Sequence, residues 1–307
     1  MLRVSGGAQL GFDFETTRLV RVTPSKLAAW GDCPRRFRMT YLDRPPPPRG
    51  GAYAHNTLGA VVHLALRALF DLPPDQRTPR AAAALLDRYW SSEGFRDAAQ
   101  AAAYRERARG WVSEYAAELD ADAEAVGLEQ WVSVATDRIV AEGRVDRIDR
   151  RGAELVIVDY KTGRRRPTVA DAAESQALAL YAVAAERTLR RSCRQVELHH
   201  LPSGEVVGWE HDSASLREHL RRAEETAAEL DAAGEALAAG GDADERARER
   251  IMGTAPARSA SRESVRLSEE LFPPRPAARC GSCDVRRNCS EGRAAAPEQA
   301  SWGLLAP

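Results

Sequence analysis

Apolar and polar positions change period several times along the chain, and each change marks an element. Thr23 and Pro24 open a helical pattern, threonine as cap and proline in the first turn, that runs toward Leu42 and stops at Pro45–Pro48. A second helical pattern spans about 58–70 and carries His63. Pro73–Pro74 separates it from two alanine-rich helices near 80–91 and 97–125. The period then shortens to that of strands near 131–140, 142–149 and 154–161. A helix near 171–189 follows, then strands near 195–201 and 205–211 joined through Pro202-Ser203-Gly204. Residues 213–250 read as a solvated helical segment rich in alanine, glutamate and arginine, with a break at Gly240–Gly241. Residues 253–276 read as a loop. The order is helix, three strands, helix, strand: an α/β chain with an αβββαβ core and added helices. Its expected limits are a loose tail at 1–16, one domain over 17–292 and a disordered tail at 293–307.

Within this pattern the stretch 142–161, Glu-Gly-Arg-Val-Asp-Arg-Ile-Asp-Arg-Arg-Gly-Ala-Glu-Leu-Val-Ile-Val-Asp-Tyr-Lys, carries the most chemistry. Leu155–Val158 form the apolar run of a buried strand, which ends on Asp159, and Arg150-Arg151-Gly152 supplies the preceding turn. Asp159 and Lys161 project from one face, because side chains alternate along a strand. A hairpin closing at Gly152 brings Asp146 toward that face. Two carboxylates and an ammonium then converge, which suits a divalent metal and a polarised water.

Five cysteines occur. Cys280, Cys283 and Cys289 form Cys-x-x-Cys-x5-Cys, while Cys33 lies near the other end of the chain in Trp-Gly-Asp-Cys-Pro-Arg-Arg-Phe. The N-terminus has no apolar signal segment, so a cytoplasmic setting is expected and grouped cysteines there point to metal more than to disulfides. Zinc favours paired Cys-x-x-Cys knuckles. A tight triplet with one distant cysteine fits an iron–sulfur cubane equally well or better. Cys193 has no partner pattern and reads as a free thiol.

Composition narrows the class. No apolar run is long enough to cross a membrane. The net charge of −1 with 29% charged residues means that any nucleic-acid contact must come from local patches. Arg164-Arg165-Arg166, directly after the Asp159–Lys161 strand, is the leading patch. Arg35, Arg36, Arg286 and Arg287 come next.

With these features together, the chain resembles the RecB-like branch of the PD-(D/E)XK nucleases, in the iron–sulfur group that includes the AddB nuclease domain and CRISPR-associated exonucleases. Ser25-Lys26-Leu27 through Cys33-Pro34-Arg35-Arg36-Phe37 resembles the opening helix with its first cluster cysteine. Gly59-Ala60-Val61-Val62-His63 resembles the Gly-x-x-x-His motif. Gly143–Arg147 and Val158–Gly163 resemble the next two motifs, and Cys280, Cys283 and Cys289 the closing cluster. The family's Gln-x-x-x-Tyr motif is one residue out of register here, as Gln176 and Tyr181, and residues five apart on a helix diverge.

The resemblance implies a restriction-endonuclease-like fold whose two termini are joined by a cysteine cluster. It also implies a metal-dependent nuclease, an exonuclease on DNA single strands or ends in repair or recombination. His63, Asp146, Asp159 and the Tyr160 backbone carbonyl would hold the metal. Asp146, Asp159 and Lys161 would be catalytic, and Tyr181 and Gln176 would touch DNA. Cys33, Cys280, Cys283 and Cys289 would bind a four-iron (4Fe–4S) cluster. Oxygen-rich ligation suits Mg2+ or Mn2+, and a histidine tilts the choice toward Mn2+. No phosphate-binding Gly-x-x-x-x-Gly-Lys-Ser/Thr loop is present, so unwinding would fall to a partner helicase or other repair protein. The alternative is a catalytically silent DNA-binding or scaffold module with the same fold.

Overall fold

The structure is a computed structural model that describes residues 18–119, 124–252 and 262–305. The expected tail at 1–16 lies outside the described residues. After a short strand β1 (Val20–Val22), Thr23 Oγ1 accepts a hydrogen bond from the Lys26 amide and Pro24 takes the first helical position of α1 (Pro24–Asp32). The single helix expected here is in fact two. Cys33 adopts an extended conformation because it precedes Pro34, and α2 (Pro34–Tyr41) starts afresh. Helices α3 (Ala54–Phe70), α4 (Pro79–Tyr89) and α5 (Ala98–Ala117) follow.

The chain then builds the long strands β2 (Glu124–Ala135), β3 (Ile139–Arg151) and β4 (Glu154–Lys161). Helix α5 ends earlier, and β2 begins earlier, than the sequence pattern suggests. The expected 171–189 helix divides into α6 (Val169–Ala173) and α7 (Gln176–Leu189), each with its own capping hydroxyl, Thr168 and Ser175. Strands β5 (Cys193–His200) and β6 (Glu205–Glu210) lead into α8 (Ser213–Met252). Helix α8 runs through Gly240 unbroken, and a Cβ at Gly240 would collide with the Leu267 side chain. The glycine therefore admits α9 (Arg262–Leu271), a helix within the expected loop. Helix α10 (Ser290–Ala295) follows the last cysteine.

The strands form one mixed six-stranded sheet in the order β1-β3-β4-β5-β6, with β2 also paired to β3. The β3–β4 and β5–β6 pairs are antiparallel, and β4–β5 is parallel across α6 and α7. One face packs Leu155, Ile157 and Val196 with residues of α1, α7 and α8; the other packs Val156, Val158 and Tyr160 with residues of α3, α4 and α5. Cys193 is buried in the first core, and burial pushes its thiol up to about 12, as befits an inert packing residue. This is the αβββαβ arrangement expected from the sequence.

The tail expected to be disordered from residue 293 is largely placed. The Ser301 carbonyl accepts the Ala54 amide at the start of α3, and Leu305 is buried in the second core. Among the described residues, no helix is long and apolar enough to cross a membrane.

Candidate active site

Asp146 and Asp159 meet because β3 and β4 are antiparallel neighbours. Arg147 pairs with Val158 and Ile148 with Ile157, so the next step of the ladder sets Asp146 opposite Asp159. Helix α3 lays His63 over this point. Its Nδ1 is 3.3 Å from Asp146 Oδ1, and its Nε2 is 3.2 Å from the Tyr160 carbonyl. The second Asp146 oxygen accepts the Tyr160 amide at 3.1 Å. Lys161 Nζ lies 2.5 Å from Asp159 Oδ2.

Burial alone would lower the His63 pKa, but the Asp146 carboxylate, with Asp159 and the Tyr160 carbonyl behind it, raises it above the ordinary value. Burial raises the Asp159 carboxyl; Lys161 pulls it down and Asp146 pushes it further up, leaving it raised on balance. Buried beside a second carboxylate, Asp159 thus resists ionising, a cost that a divalent cation relieves.

Glu129 is the residue that the sequence pattern did not offer. It lies on β2 between Leu128 and Gln130, which pair with Arg147 and Val145, and so it faces Asp146. Its backbone is left-handed, with φ +48°, a conformation that costs a non-glycine residue free energy. Its carboxylate is ion-paired with Arg144 at 2.8 Å. Ligand atoms of His63, Glu129 and Asp146 all lie within 4.8 Å of one another. Asp159 stands beside this trio, paired with Lys161. One imidazole and several carboxylate or carbonyl oxygens form a donor set that suits Mg2+ or Mn2+.

The motif glycines are explained by what approaches them. A Cβ on Gly143 would sit 2.5 Å from Tyr181 Cε1, so the glycine lets the Tyr181 ring lie against β3. Burial, with Asp159 and Asp146 adding to it, pushes the Tyr181 hydroxyl up to about 12. A Cβ on Gly59 would lie 3.3 Å from Thr162 Oγ1, so this glycine lets α3 approach the end of β4. Gln176 opens α7 more than a turn earlier, and it is the Tyr181 hydroxyl that feels the charge of both carboxylates. Of the arginine run, Arg165 is bound through both guanidinium arms to Asp171, and Arg166 bonds Glu205. Arg164 is exposed.

Behind the site, Tyr160 is locked by a buried polar network. Arg147 donates to the Tyr160 and Tyr115 hydroxyls at 2.9 and 2.8 Å and pairs with Asp149 at 2.7 Å. Its guanidinium lies 4.4 Å from the Phe70 ring centre. Tyr115 also meets His199 Nδ1 at 2.9 Å, and His199 Nε2 meets Glu197 at 2.9 Å. Fixing the Tyr160 side chain fixes the peptide between Asp159 and Lys161, and with it the carbonyl that faces His63.

Cys33, Cys280, Cys283 and Cys289 line one cavity of about 290 Å3. The Arg275, Ala277 and Gly292 amides point at the sulfurs of Cys33, Cys280 and Cys289, at 3.5, 3.4 and 3.3 Å. Four thiolates around a single zinc would stand roughly 3.8 Å apart, given Zn–S bonds of about 2.3 Å in a tetrahedron. Among the described residues no three of these sulfurs gather within 4.8 Å.

Residues 21–290 match the family model described as the PD-(D/E)XK nuclease superfamily. No curated protein matches the chain. The match covers most of the chain, including every motif described above, and the chain belongs to that superfamily.

Proposed function

We propose, with membership in the PD-(D/E)XK superfamily as premise, that this chain is a metal-dependent nuclease that hydrolyses DNA phosphodiesters at single strands or ends. The observation that carries it is the convergence of His63, Glu129 and Asp146 within 4.8 Å, beside the Asp159–Lys161 pair. His63, Asp146 and the Tyr160 carbonyl, joined by Glu129 or Asp159, would hold Mg2+ or Mn2+. Such an ion, when bound, supplies positive charge at the phosphate and a means of acidifying water.

The chain's own residues do the rest. Lys161 keeps its ammonium next to Asp159, where it can orient the attacking water and offset negative charge growing on the phosphate oxygens. A side chain held in that ion pair serves better as an electrostatic group than as a base. His63 faces one acceptor with each ring nitrogen, which favours its protonated form, and a bound cation would compete with a proton for the ring. Tyr181, close to both carboxylates, would pack against the substrate strand next to the scissile phosphate.

The same reading assigns Cys33, Cys280, Cys283 and Cys289 to a structural four-iron cluster, and places the enzyme in repair or recombination beside a helicase or similar partner. A catalytically silent module would have no use for an intact Asp146–Asp159–Lys161 set. The test is cleavage of end-labelled single- and double-stranded DNA with Mn2+ or Mg2+, next to an Asp159→Ala control. Cleavage that needs the metal and falls by several orders of magnitude in the control is expected. Near-parental cleavage by Asp159→Ala would overturn the assignment.

A further inference from the structure

The most exposed large apolar side chain among the described residues is Trp131, at 63%. It lies on β2, which among the described residues pairs only with β3 and so forms an outer edge of the sheet. An indole left in water on an edge strand is unusual unless something covers it. Its surroundings say what. Trp131 pairs directly across the ladder with Arg144, so the two side chains emerge on the same side. Arg144 is itself 59% exposed and reaches Glu129, the β2 carboxylate of the candidate metal trio. Trp131, Arg144, Glu129 and Asp146 thus form a continuous strip, running from an aromatic face through a cation to the carboxylates.

We propose that Trp131 is a stacking platform for one unpaired nucleobase of the substrate strand, with Arg144 against the neighbouring phosphate. This rests on the nuclease reading and deepens it, because it names the substrate feature recognised. Aromatic faces accept any base and need it unstacked from a partner strand; an arginine beside the ring adds a phosphate contact without sequence preference. Arg144 stands two residues from Asp146, about 7 Å along the strand. That short span puts the stacked base within one or two nucleotides of the bond that is cut. The subsite makes the chain prefer single strands or frayed ends over closed duplex. It also puts the strand on the β2 edge, where Arg144 would turn from Glu129 to the phosphate.

The test compares parent, Trp131→Ala and Trp131→Phe on an oligothymidylate and on a blunt, closed-end duplex. Binding is read by anisotropy in Ca2+ and cleavage is read in Mn2+. Trp131→Ala should weaken binding to the single strand by about 5- to 100-fold, Trp131→Phe should keep most of it, and duplex binding should change less than twofold. A single abasic site one or two nucleotides from the cut should weaken the parent to the level of Trp131→Ala and cost that variant nothing more. Melting temperatures should agree, since the ring is exposed. Equal loss on duplex and single strand, or no loss at all, would overturn the platform while leaving the nuclease reading intact. A parent that cuts no DNA under any metal would overturn both. A Trp131→Ala protein that changes from dimer to monomer on gel filtration would instead make the ring an interface between two copies of the chain.

Discussion

At the scale of single residues, Glu129 and Gly143 show how much of the site hangs on local geometry. Glu129→Gln keeps the shape and removes a charge, so Mn2+ affinity measured by calorimetry should fall about 10- to 100-fold, by analogy with the loss of a supporting group at a metal centre. Parental affinity would leave Asp159 as the ligand in its place. Gly143→Ala should cost about 1–3 kcal/mol, because its methyl would overlap the Tyr181 ring. Adding Tyr181→Leu should restore the melting temperature. Asp146, Asp159, Lys161 and His63 were legible because each sits in a motif of fixed spacing. Glu129 was not. Its position depends on the β2–β3 register and on a left-handed backbone that no propensity announces for glutamate. The register shift at Gln176 was visible in the spacing, and the structure packs the Tyr181 ring against Gly143 of β3.

At the scale of elements, β3 is the most demanding part of the fold. Ile139, Ala141 and Val145 face the core under α7, and simple alternation would put Arg147 and Asp149 there too. They point instead toward Tyr115, Tyr160 and Phe70 on the other side, so alternation slips at Asp146, opposite Glu129. A pattern of apolar and polar letters cannot show such a slip, and so it does not announce that Asp149 and Arg147 are only 3% and 2% exposed. Arg147→Met should destabilise by about 3–5 kcal/mol, because Asp149 is then buried without its partner, while Arg147→Met with Asp149→Leu should recover much of the loss in urea melts. The same network sets an acid limit. Burial would raise the Glu197 carboxyl, but the His199 hydrogen bond and Arg151 outweigh it and hold the group near 2. A depressed carboxylate pKa stabilises the fold above the ordinary value and loses that contribution as pH falls toward 2. Glu197→Gln should therefore lower stability by up to about 3 kcal/mol at pH 7, and its stability should fall less than the parent's between pH 5 and 3.

At the scale of the whole molecule, the first helices are clasped to the last described segment, and the four cysteines line the cavity between them. Arg35 meets Glu291 at 2.7 Å, Arg36 meets Asp284 at 3.1 Å, and the Gly50 amide bonds the Asp284 carbonyl. The Arg275 and Arg279 guanidiniums reach the carbonyls of Gly31 and Asp32. Convergence of Cys33 with Cys280–Cys289 could be anticipated from ligand count alone. The ordered tail could not, since Trp302-Gly303-Leu304-Leu305 is too short to show a period, and only the seat of Leu305 in the second core reveals its role. Most of the clasping ion pairs are partly exposed and so individually weak. A cluster held by all four cysteines would close a loop over most of the chain, and loops of that length confine the unfolded state by roughly 5 kcal/mol in the chain-entropy picture. Protein purified without oxygen should then be brown, with about four irons per chain. Cys283→Ala should be colourless, lower-melting and cut readily by protease between α8 and α10, while Cys193→Ala keeps the colour and the iron. One zinc per chain and no iron, in protein made with ample iron and kept from air, would replace the cluster with a single-ion staple. Full iron-independent stability in Cys283→Ala would mean that the arginine clasp holds the termini on its own.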